Sequence, residues 1–198
     1  MRQKEELVDM ALQKIKNGDL RVGRGEHVQW VSVVHKGWRI PKVITIILAG
    51  QGAQFEWFIA VSGHDDHSFP LDIRVIHKAP STVSRISARS VLDGRSHISW
   101  NGRVIVEKGA HGVDTHLAFR TLLLSASARA RTIPSLEIAT DDVTAGHAAS
   151  VDRLADDALF YCASRGLDHE ETKKLLAHAF LSTDAPASLL SLLKPYDN

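Results

Sequence analysis

The chain has 198 residues, 44% of them hydrophobic and 24% charged, the proportions of an ordinary globular protein of one domain with at most a short appendage. Its 24 basic and 23 acidic side chains leave a net charge of +1, which removes the main electrostatic reason to expect nucleic acid or an anionic membrane as a partner. A single cysteine, Cys162, excludes an internal disulfide and a four-thiolate zinc or iron–sulfur site within one chain. The opening MRQKEELVDM has no apolar stretch of the kind a secretory leader carries, and the longest apolar run, around residues 43–49, is far short of a membrane span. These features lead us to expect a cytoplasmic protein with neither nucleic acid nor membrane among its partners.

Residues 3–16 have a helical period, with Leu7, Met10, Ala11 and Ile15 on one face, and Asn17-Gly18 ends the run. From Val28 the period becomes two. Val28, Trp30, Ser32 and Val34 form one set, Phe55, Trp57, Ile59 and Val61 the next, then Leu71, Ile73 and Val75. Further strands are predicted over 43–48, 83–91, 97–100, 103–107 and 135–138. Gly and Asn punctuate the runs at 49–52, Ser62-Gly63, Asp93-Gly94 and Asn101-Gly102. Several strands are apolar on both faces, as at Trp30, Val31, Val33 and Val34, which favours stacked or doubly covered sheets. Short strands at this spacing fit a sandwich, a barrel or a solenoid, and the period alone does not choose among them.

After about Val151 the helical period returns. Leu154, Ala158 and Cys162 share a face that Leu159, Phe160 and Tyr161 thicken, and Gly166 follows as a stop. Asp168 and Glu171 have the spacing of a capping box, and Leu175, Leu176, Ala179 and Phe180 form the next apolar stripe. Asp184-Ala185-Pro186 predicts one more helix, with Leu189, Leu190, Leu192 and Leu193 on its apolar side. Cys162 on an apolar helix face reads as a buried structural thiol.

Eleven histidines invite a metal site. His64-Asp65-Asp66-His67 is the densest group of metal-ligating side chains, although its flanks mark a turn, where such residues gather for backbone reasons alone. In GAHGVDTH, a period of two sets Asp114 and His116 on one face and His111 on the other. Asp142, His147 and Ser150 contain the elements of a hydrolase triad, with no nucleophile elbow around the serine. No phosphate-binding or dinucleotide-binding glycine motif is present. Two alternatives stand on these residues: a metal-binding or hydrolytic β-protein using His64, His67, His111 or His116, and a purely structural dimerisation module.

The second half carries the blocks SARSVLDGRSHISWNGRVIVEKGAHGVDTH, LLLS, PSLEIATDDVTAGHAASVDRL and LFYCASRGL, in that order. In order and spacing they resemble the SufB/SufD family, the scaffold components of iron–sulfur cluster assembly. LEIxxDDVxxxH followed by LFYxxSRG is the most specific part. The resemblance implies a mainly β fold, a right-handed parallel β-helix (β-solenoid) core with a small C-terminal α-helical segment. With the periods above, this divides the chain into an N-terminal helix (1–20), a β-helix core (21–150) and a C-terminal helical ATPase-docking segment (151–198). It implies a non-catalytic scaffold that works with a SufC-like ABC ATPase and pairs as a homodimer or with a SufB/SufD-like subunit. By the same resemblance, His147, Asp141 and Asp142 are the cluster or iron site candidates, with His147 the metal ligand. Arg165, Gly166 and Leu167 mark the ATPase-facing turn. SufB-type members follow the histidine with a glutamate, where this chain has Ala148, and carry a cysteine in the preceding coil, which this chain lacks. The resemblance is therefore to a short SufD-like member, holding at most a transient iron or iron–sulfur cluster at a dimer interface and binding none tightly by itself.

Overall fold

A computed structural model describes residues 4–7, 19–34 and 43–187. Eleven strands alternate between two sheets, and every pairing is parallel. β1 (Lys4–Leu7), β3 (His27–Val34), β5 (Gln54–Gly63), β7 (Val83–Leu92), β9 (Val113–Leu123) and β11 (Val143–Arg153) form sheet A in that order. β2 (Asp19–Val22), β4 (Val43–Leu48), β6 (Ser68–His77), β8 (His97–Val106) and β10 (Arg129–Ile138) form sheet B. A chain that visits two sheets in turn and always pairs with the strand two before it is a solenoid. Stacked neighbours such as Gln29 and Glu56, Ser68 and His97, or Ser84 and Thr115 are 27, 29 and 31 residues apart. Two helices, α1 (Asp156–Ser164) and α2 (His169–Ser182), follow the last coil.

Parallel register stacks like positions into columns, and the inward columns are the core. Trp30, Trp57, Ile86 and Leu117 form one, each at most 2% exposed. Ile46, Val75 and Val104 form another from sheet B. Trp30 meets Phe55 and Trp57 edge to face, at 5.2 and 5.3 Å between ring centroids. Polar side chains that point inward find one another. Trp57 Nε1 donates to Ser32 Oγ at 2.7 Å, and buried His77 bonds Thr82 Oγ1 through Nδ1 and Ser84 Oγ through Nε2 at 2.8 and 3.0 Å.

The outer face of sheet A is covered as well. Ala177 and Leu181 of α2 pack with Val31, Phe58, Ala60, Val91 and Leu122. This second layer explains why β3 and β5 are apolar on both faces. Lys173 Nζ reaches Asp93 Oδ2 at 3.6 Å, and Arg89 stacks on the Phe180 ring, fixing the rotation of α2 on the sheet.

Several expectations change. Of the helix predicted over 3–16, only 4–7 fall among the described residues, and they are a strand paired with the free edge of β3. Most of the predicted last helix likewise lies outside them. Asn101-Gly102 is no turn but the middle of β8. A Cβ at Gly102 would sit 2.5 Å from the Phe119 ring, so glycine there leaves room for Phe119 to stack on Trp100 at 5.1 Å. Ser62-Gly63 likewise ends β5 instead of breaking it.

Candidate functional site

β10 and β11 end the two sheets, so among the described residues nothing pairs with their outer edges. The inward columns run out here. His147 lies in register with Leu117 and is the last member of the column Trp30, Trp57, Ile86, Leu117. The same position that is sealed in each earlier coil is exposed in this one. An imidazole thus stands at the mouth of an apolar core. Around it, Ile138 and Val151, the inward positions in register with Val106 and Thr121, are 43% and 45% exposed. Thr132 Oγ1 is buried with no hydrogen-bond partner among the described residues. Open strand edges, apolar side chains left in water and an unsatisfied hydroxyl thus lie together at this end of the stack.

Asp141 and Asp142 lie in the exposed turn before β11, where the Asp142 carbonyl accepts the Gly112 N–H at 2.9 Å. His147 is five residues beyond Asp142, about 16 Å of extended chain, so the two do not share one site within a single protomer. The same alternation puts Ser150 opposite Arg120 on the outer face, while His147 points inward. The Asp142, His147 and Ser150 set therefore forms no triad.

The other histidines are dispersed. His64 and His67 flank the β5–β6 turn, where His64 Nε2 lies 3.0 Å from Ser62 Oγ. Burial holds the His64 imidazole below its ordinary value, with Asp93 pulling the other way and His67 reinforcing the shift. His111 Nδ1 lies 3.3 Å from Thr140 Oγ1. Asp114 and His116 share the outer face of β9, as the period predicts. Among the described residues, no three His, Cys, Asp or Glu side chains are grouped to hold a metal ion.

The second surface is helical. α1 ends in a Schellman turn, with the Leu167 N–H on the Cys162 carbonyl at 3.2 Å and the Gly166 N–H on the Ala163 carbonyl at 3.0 Å. Gly166 has φ +91°, a left-handed backbone that glycine adopts without strain. Arg165 lies over the Tyr161 ring at 5.4 Å. Asp168 and Glu171 complete the predicted capping box on α2, and Cys162 is buried as expected. The apolar stripes are turned from their expected positions. α2 meets the sheet through Ala177 and Leu181, leaving Leu175 51% exposed, and on α1 Phe160 and Tyr161 are 78% and 60% exposed. Helical period finds the apolar faces, and only the tertiary contact of α2 decides which of them is covered. No helix among the described residues is long and apolar enough to cross a membrane.

Comparison with known proteins gives one consistent answer. The family model described as "SUF system FeS cluster assembly, SufBD core domain" matches residues 7–180. An iron–sulfur cluster assembly SufBD family protein of Mycobacterium bovis is 32% identical over 162 residues, covering 81% of this chain and 19% of the relative. The iron–sulfur cluster assembly protein SufD of Bacillus subtilis is 32% identical over 161 residues, 81% of this chain and 37% of that one. A SufBD family protein of Mycobacterium leprae is 29% identical over 167 residues, 80% of this chain and 43% of that one. The chain therefore spans less than half the length of each of these relatives. The match runs through both sheets and into α2, and the solenoid with its two closing helices is the fold that the sequence resemblance implied. By its core domain the chain belongs to the SufBD family.

Proposed function

We propose that this chain is a non-catalytic, SufD-like scaffold subunit of iron–sulfur cluster assembly, joined to a like subunit through the open end of its solenoid. The observation that carries this is the apolar column that ends on exposed His147 between two unpaired strand edges. A second coil end laid against it would satisfy the edges, cover Ile138 and Val151, and place imidazoles from two chains at one seam. Imidazole and carboxylate suit iron, and a seam collects ligands that one protomer holds too far apart, including Asp141 and Asp142 from either side. Iron or a nascent cluster is cargo here, held in passing. A partner supplies sulfur chemistry, because the only thiol of this chain is buried in α1. The helical end, with exposed Phe160, Tyr161 and Leu175 beside the Arg165-Gly166-Leu167 turn, is the docking surface for a SufC-like ABC ATPase, whose movement is transmitted through α2 to sheet A.

Light scattering at micromolar concentration tests the pairing. The expected result is a dimer, alone or with a SufB-like subunit, that the double change Ile138→Lys and Val151→Lys converts to a folded monomer. His147→Ala leaves the dimer intact and abolishes iron retention by the complex. A monomeric wild-type chain that also fails to associate with a SufB-like subunit refutes the proposal.

A further inference from the structure

The outer face of sheet A holds a second feature, away from the coil end. One outward column shrinks along the stack: Val31 and Phe58 are followed by Ser87, Ala118 and Ala148. Small side chains there leave a trough, and long ones wall it. Arg85 and His116 stand in register on one side, Arg89 and Arg120 on the other. Asp184 and Pro186, just after α2, form the lip. The cavity has a volume of about 360 Å³. That is the low end of the range of roughly 300–1,000 Å³ for small-molecule sites.

Its charges are unevenly matched. Arg85 is committed to the Asp114 carboxylate and to the backbone carbonyls of Ser84 and Asp114. Glu56, at the far end, takes Gln29 Nε2 at 3.1 Å and faces His27. At the near end two guanidinium groups stand in register and only one of them, Arg89, has a carboxylate partner. The Arg89 side chain is only 5% exposed, with Nη1 on the Phe180 carbonyl at 3.3 Å, Nη2 on Asp184 Oδ2 at 2.8 Å, and Nε without a partner. Arg120 sits directly across from it and has no carboxylate within salt-bridge reach among the described residues. Adjacent strands lie about 4.8 Å apart, and like charges facing each other across them are unfavourable. The compensating carboxylate among the described residues, Asp184, is 75% exposed and stands on a left-handed backbone, φ +57°.

We propose that this groove binds a small organic anion, whose carboxylate or phosphate bridges Arg89 and Arg120 while its apolar part lies on Phe58, Ala118 and Pro186. Asp184 then acts as an internal competitor that holds Arg89 when the groove is empty. Guanidinium forks favour such oxyanions because two N–H groups meet two oxygens at once.

The test is calorimetric titration of the full chain at low ionic strength with inorganic phosphate, glycerol phosphate and succinate. We expect saturable binding of at least one of the organic anions. Arg120→Ala, at an exposed position, keeps the circular dichroism spectrum and weakens binding by about tenfold or more. Asp184→Asn tightens it several-fold by removing the competitor. The assignment is overturned if neither the wild type nor Asp184→Asn binds an organic anion at about 10 mM, or if affinity ignores Arg120→Ala. It is also overturned if inorganic phosphate alone binds as tightly as the organic anions do.

Discussion

His77 shows how much one buried side chain costs and gains inside a coil. It takes the column position between Leu48 and Val106, is fully buried, and has both ring nitrogens engaged by hydroxyls of Thr82 and Ser84. Burial lowers its pKa from 6.5 to about 4. The folded chain therefore stays unprotonated at His77 while the unfolded chain begins to take up a proton near pH 6.5. Stability from this group is complete above that pH, falls as pH drops toward 4, and then levels off, a loss of about 3 kcal/mol in all. Denaturant unfolding of the wild type and His77→Gln at pH 7.5 and 4.5 checks this. The expected outcome is a smaller acid loss in the variant by about that amount. Its remaining acid sensitivity includes His64, which burial shifts in the same direction. The period of two through Leu71, Ile73 and Val75 continues to His77 and places it inward, while the hydroxyls of Thr82 and Ser84 that satisfy its ring are known only from the fold.

Among the elements, strands were more legible than their ends. The alternation of Phe55, Trp57, Ile59 and Val61 identifies an inward face because those four positions are sealed in β5. The same rule misplaces a turn at Asn101-Gly102, where glycine answers a packing demand from Phe119 one coil away. β11 escapes the rule altogether. Its inward residues are Val143, Ala145, His147, Ala149 and Val151, so the apolar signal is weakened by two alanines and broken by an imidazole at its centre. The helices show the complementary limit. Caps are local and are read correctly at Asp168 and Gly166, while the covered face is set by Lys173, Ala177 and Leu181 meeting the sheet. The exposed face is where the proposed ATPase contact is tested. Co-purification with a SufC-like ATPase is expected to be lost in Tyr161→Glu with Leu175→Glu, with α2 still docked and the dimer intact. Undiminished capture removes these helices from the ATPase contact.

At the scale of the whole molecule, each coil touches only its neighbours, so stability is distributed along the stack and not concentrated at one nucleus. Among the described residues the last coil, like the first, has one neighbour where the inner coils have two. Hydrogen exchange at low protein concentration is expected to be fastest in β10 and β11 among the long strands, and to slow there, more than in β5 to β8, when the dimer forms. Equal protection changes along the whole stack, or none at the end, contradict pairing through this coil. The family was legible in ordered blocks, and His147 was a candidate through them, but the column that ends on it was not. A column ending on an imidazole exists only once five strands are laid in register, and no window of the chain contains more than one of its members.

Because successive coils repeat one geometry, stack height and end-face chemistry are separable quantities. Inserting or removing about 30 residues between two equivalent strand positions lengthens or shortens the molecule by about 4.8 Å and leaves both terminal surfaces unchanged. Such a stack works as a ruler with interchangeable middle divisions. The chemistry of the face that carries His147 is therefore set by the last coil alone, whatever number of coils is stacked behind it.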